Sequence, residues 1–188
     1  LRKLGLHTIR NGLLVDQSLF PKPDKTPGDF DDDPLRPYNL MHASLLANFN
    51  TIDFTVKKNT KNDGIDIEYE FLPDGIYFNN RLKIGNGICS DFREQVFFNQ
   101  LIQESYPPAI FIELTGEYPK KCNHYNHDIA VTETNHYFFG VFSYLWQKSG
   151  GIINGYINET DIKKNAAALL KFKSIKLSEL TPHLLKNS

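Results

Sequence analysis

The run Gly64-Ile65-Asp66-Ile67-Glu68-Tyr69-Glu70-Phe71 places a carboxylate at every second position. Successive side chains of a strand point to opposite faces, so Asp66, Glu68 and Glu70 share one face, and Ile65, Ile67, Tyr69 and Phe71 share the other. The spacing predicts a half-buried strand over 65–71. A row of like charges repels, so it calls for counter-charges, solvent or a metal ion.

Outward from this run, residues 51–56 are β-rich and form the preceding strand, with Asp53 in it. Leu40, Met41, Leu45 and Leu46 follow helical spacing and predict a short helix over 38–48. Leu72-Pro73-Asp74-Gly75 reads as a turn. Residues 76–78 and 81–84 read as a tight hairpin around Asn79-Asn80. Ser90 or Asp91 caps a helix running to about Glu104, stopped by Pro107-Pro108. The short apolar run 109–114 and the aromatic run 137–146 both read as strands, with 152–157 as a further strand. Asn158 then caps a closing helix through Leu170, and Leu177, Leu180 and Leu184 belong to a short tail. The expected fold is α/β, or α+β, with a mixed central sheet flanked by helices. Five prolines and the acidic run Asp29 to Asp33 mark residues 1–37 as an N-terminal arm and linker, leaving 38–188 as a single domain.

The chain has 188 residues, is 40% hydrophobic and carries a formal net charge of -1. That is ample for a core and unlike a disordered chain. Bulk charge gives no sign of nucleic-acid or membrane binding. No apolar stretch approaches a membrane span and no secretory leader is evident, so a cytoplasmic protein is expected. Two cysteines, Cys89 and Cys122, define no disulfide framework, and a chain with this much core does not need a bridge.

Clustered carboxylates at neighbouring strands are how hard cations such as magnesium are held. If the strands at 51–56 and 65–71 are neighbours, Asp53 approaches Glu68 and Glu70. The order helix, strand, acidic strand, hairpin, helix, strand resembles the PD-(D/E)XK nucleases, with Glu70 in the family's lysine position. The resemblance implies a metal-dependent endonuclease cutting DNA. Asp53, Glu68 and Asp66 would hold Mg2+ (or Mn2+), with Asp53, Glu68 and Glu70 catalytic and Glu70 handling the water. Lys57, Lys58, Lys61, Arg81 and Lys83 would face the phosphate backbone, and a homodimer is compatible. A weaker resemblance, to the GIY-YIG nucleases, rests on Gly75-Ile76-Tyr77, Lys83-Ile84-Gly85 and Arg93.

Other readings compete. Arg81 and Lys83 lying opposite Glu68 and Glu70 would make the acidic face an ordinary salt-bridged surface. A non-catalytic interaction protein, its N-terminal arm packed on a partner, is the alternative function. Cys122, His124, His127, Asp128 and His136 contain zinc-type ligands without a standard spacing, so a loop with partly exposed histidines is the plainer reading. Lys163, Lys164, Lys171, Lys173 and Lys176 make the C-terminal region basic, which usually means a solvated face.

Overall fold

The computed structural model describes residues 1–21, 23–59, 64–105, 107–160, 167–176, 178–179 and 182. In chain order its elements are β1 (Thr8–Ile9), β2 (Leu13–Val15), β3 (Thr51–Lys58), β4 (Ile65–Glu68), β5 (Ile76–Asn80), β6 (Lys83–Gly85), α1 (Phe92–Gln95), β7 (Val96–Gln103), β8 (Ala109–Pro119), β9 (His124–Ala130), α2 (Thr134–Lys148), β10 (Ile152–Ile153) and β11 (Ile157–Glu159). This is a mixed α+β fold.

Two sheets face each other. One is antiparallel with order β4-β3-β9; the other is centred on β8, with β7 antiparallel on one edge and β5 then β6 parallel along the opposite edge. Ile52, Phe54 and Val56 alternate inward from β3, and Ile110, Ile112 and Leu114 do so from β8. Phe54 joins the layers, its ring centroid 4.8 Å from Phe78 and 5.9 Å from Phe98. The fully buried Tyr118 donates its hydroxyl to Val56 O at 3.1 Å, which satisfies the one polar atom it brings into the core. β1 and β2 pair in parallel with β10 and β11, so residues 8–15 return to the chain's own C-terminal strands.

Several local expectations are corrected. Residues 76–85 form no hairpin, because β5 and β6 both lie parallel on β8 rather than on each other. The helix expected from Ser90 or Asp91 ends at Gln95; from Val96 the chain pairs residue for residue with β8. That close approach needs Gly116, at φ +100°, where a Cβ would sit 2.1 Å from Gln95 O. Residues 134–148 are helical, not extended. Tyr137, Gly140, Ser143 and Trp146 recur at spacing three and are buried. Gly140 lets the helix touch the Pro73-Asp74 turn, since a Cβ there would meet Asp74 O at 2.4 Å. The helix expected over 38–48 is replaced by 3-10 turns at Pro37–Asn39 and Asn48–Asn50, the latter with three consecutive positive φ values. Asn158 lies in β11. Lys61, Lys163, Lys164, Leu177, Leu180, Leu184 and the middle of the expected closing helix lie outside the described residues.

The acidic proline-rich segment uses its carboxylates locally. Asp31 accepts from the Tyr38 hydroxyl at 2.6 Å and from Asn39 Nδ2 at 2.5 Å, and the tyrosine bond holds its carboxyl below the usual range. These bonds lay Leu35 into the core and against β9, where Ala130 N donates to Leu35 O at 2.7 Å.

Candidate functional site: two depressions flanking one strand

Asp53, Thr55 and Lys57 point outward from β3, opposite to its buried residues. The antiparallel register sets Glu68 beside Thr55, Asp66 beside Lys57 and Asp128 of β9 beside Asp53. Asp53 and Glu68 are therefore on neighbouring strands and one face, the condition on which their approach depended. With Glu70, which lies beyond the end of β4, and Asp128 they line an open depression of about 450 Å³.

The partners of these acids are ordinary surface partners. Lys57 forms an ion pair with Glu68, and Asn59 Nδ2 donates to Asp66 at 2.9 Å. Arg81 pairs with Glu113 at 2.9 Å instead of with Glu68 or Glu70. Among the described residues no three acidic, histidine or cysteine side chains converge as a metal would require. The zinc-type reading meets a direct obstacle: Cys122 is fully buried and disulfide-bonded to Cys89, so it offers no thiolate.

On the other side of β9 lies a larger slot of about 1030 Å³. Its walls are β7 and β9, and residues 34–38 cover it. Among the described residues both are edge strands, β7 pairing with β8 and β9 with β3, and the far edge of β9 is met at Ala130 by Leu35. One end is closed by a side-chain bridge, in which Gln100 Nε2 donates to Thr132 Oγ1 at 2.7 Å and Thr132 N donates to Gln100 Oε1 at 3.2 Å. At the opposite end stands Arg93, on the turn that leads into β7. That turn is built by Gly87, at φ +128°, by Ile88 N donating to Asp91 Oδ2 at 2.9 Å, and by the Cys89–Cys122 disulfide.

Between the depressions, His127 turns inward from β9 into an aromatic cluster. Its ring stacks on Phe98 at 4.5 Å and meets Phe54 edge-on at 5.7 Å. Burial holds the His127 imidazole below the ordinary histidine pKa, outweighing the opposing pull of Asp128. His136 is depressed for the same reason against Glu133. A histidine whose pKa is lower folded than unfolded contributes stability that is complete above about pH 6.5 and lost as pH falls toward the folded value. Thermal stability should therefore drop as pH falls below about 6.5, and a His127→Phe/His136→Phe protein should lose most of that slope. An unchanged slope in the double variant would show that other groups carry it.

With this geometry in place, comparison with known proteins decides the family. The family model for D-Ala-D-Ala carboxypeptidase 3 (S13) matches residues 1–188. The chain belongs to that family. Two solved structures of penicillin binding protein 4 (dacB) from Haemophilus influenzae share the fold. One superposes with a TM-score of 0.58 at 14% identity, over 84% of this chain and 33% of that one. The other, complexed with a novel β-lactam, gives 0.53 at 11% identity, over 88% of this chain and 33% of that one. The chain thus spans about a third of the length of these structures. No curated protein matches significantly.

The S13 assignment overturns both functions expected from the sequence, the DNA endonuclease and the interaction protein with an arm on a partner, and with them the PD-(D/E)XK and GIY-YIG resemblances. The physical reason is visible in the strands. The acidic alternation belongs to the outer face of an antiparallel sheet, and the two tripeptides of the GIY-YIG reading never pair with each other. No helix among the described residues is long and apolar enough to cross a membrane.

Proposed function

We propose that these 188 residues serve a D-Ala-D-Ala carboxypeptidase, as the part that does not carry the acylated serine. The observation that supports this is the S13 family match over the whole length given, in a sequence without the nucleophile's motifs. Penicillin-binding proteins attack with the serine of S-x-x-K, assisted by S-D-N and K-T-G segments. None of the three occurs in these residues. Ser90-Asp91-Phe92-Arg93 comes near, with arginine in the lysine place, but its Ser90 hydroxyl donates to Asp91 Oδ1 at 3.1 Å.

The reaction is acyl transfer. A serine hydroxyl adds to the carbonyl of the penultimate D-Ala, the terminal D-Ala leaves with its amine protonated, and water releases the acyl group. The disulfide supports a site of action in an oxidising compartment, outside the cytoplasm.

Intact-mass spectrometry after exposure to penicillin tests the reading. The 188-residue chain should remain unmodified. The whole reading frame containing it should gain one acyl group on an S-x-x-K serine outside residues 1–188 and should release D-Ala from acyl-D-Ala-D-Ala peptides. An acyl group on a serine within these residues, or a whole protein inert to both probes, would overturn it.

A further inference from the structure

We propose that the slot between the open edge of β7 and the facing strand β9 seats a short extended peptide ending in a free carboxylate, laid antiparallel along β7 with that carboxylate on Arg93. The slot rests on geometry alone; identifying its peptide as an acyl-D-Ala-D-Ala chain rests on the function proposed above.

Three observations converge. First, the outer edge of β7 is unpaired among the described residues and faces the slot, so its backbone N–H and C=O groups are available to an added strand. Second, from Val96 to the Gln100–Thr132 bridge the usable edge is about 13 Å long at a strand's rise per residue, which suits a peptide of three or four residues rather than a protein strand. Third, Arg93 is exposed at the open end and meets no carboxylate within ion-pair distance among the described residues. Its Nε donates to the Tyr125 hydroxyl at 3.1 Å, and that bond steadies the side chain.

The direction of the peptide follows from these placements. Arg93 precedes β7, so it stands where a strand running antiparallel to β7 ends. A guanidinium takes a carboxylate through two parallel N–H···O bonds, which a neutral carboxamide cannot reproduce. Phe98 and Ile129 supply apolar floor for small side chains such as alanine methyls.

Calorimetry and amide NMR on the 188-residue chain would use three probes: N-acetyl-L-Lys-D-Ala-D-Ala, its C-terminal amide, and N-acetyl-L-Lys-L-Ala-L-Ala. The free acid should bind and perturb the amides of β7. The amide should bind at least about tenfold more weakly, and Arg93→Gln should lose the acid by a similar factor while Arg93→Lys loses less. Equal binding of acid and amide, unchanged binding by Arg93→Gln, perturbations away from β7, or no binding of any probe would overturn the proposal. Equal binding of the L,L and D,D acids would support the slot as a carboxylate-peptide site and remove its link to D-Ala-D-Ala. A whole protein inert to penicillin would bring down the function proposed above and leave the slot standing.

Discussion

Reducing the Cys89–Cys122 disulfide should lower the unfolding free energy by about 3.7 kcal/mol, the loop-closure entropy for a bridge spanning 33 residues. The bond ties the turn before α1 to the chain between β8 and β9, two segments that also meet through the backbone, where Lys121 N donates to Gly87 O at 3.2 Å. Cys122 is fully buried, so a Cys89→Ser/Cys122→Ser protein would also bring a hydroxyl into an apolar site. Urea unfolding with and without reductant measures the effect, and Cys89→Ala/Cys122→Ala separates the lost cross-link from the buried hydroxyl. Coincident unfolding curves for the oxidised and reduced chains would refute it. Because that turn leads directly into α1, which carries Arg93, reduction should weaken binding of N-acetyl-L-Lys-D-Ala-D-Ala as well.

Phe92→Ala should cost about 4 kcal/mol, the usual range for deleting a buried phenyl ring. Phe92 is fully buried on α1 between the sheets, stacked on Tyr125 at 3.9 Å and edge-on to Tyr118 at 6.0 Å. Its removal would open a cavity beneath β9, and Tyr125 would lose the surface that holds its hydroxyl under Arg93. Phe92→Leu fills most of the space and should cost well under half as much. Chemical denaturation of the two variants checks the ranking. A loss below about 1 kcal/mol for Phe92→Ala would mean that the cluster collapses into the gap and does not depend on this ring.

Where a segment's local pattern and its final environment agree, the amino-acid sequence was enough. The strands near 51–56, 65–68 and 109–114 were legible because β-rich composition or alternation matches one buried face. That alternation put the acids of 65–71 on one face, but that Asp53 and Glu68 lie on neighbouring strands came from the pairing of β3 with β4. The aromatic run in α2 misled, since Tyr137 and Trp146 fall at helical spacing among so many other apolar residues that the period is hidden. Val96 to Gln103 misled in the opposite direction. Its strand state is set by pairing along β8, with a glycine at residue 116 to permit contact, and neither partner is local.

The chemistry divides in the same way. Sequence alone determined that no S-x-x-K serine lies in these residues and that the acids of β4 share a face. Only the tertiary structure decided that Cys89 meets Cys122, that Lys57 answers Glu68, and that Arg93 stands at the mouth of a slot. That slot is assembled from residues 34–38, 93–102 and 127–133, segments far apart in the chain. Local pattern reports which face of a strand is buried; it cannot report which strand edge stays open, because an edge is defined by the absence of a distant partner.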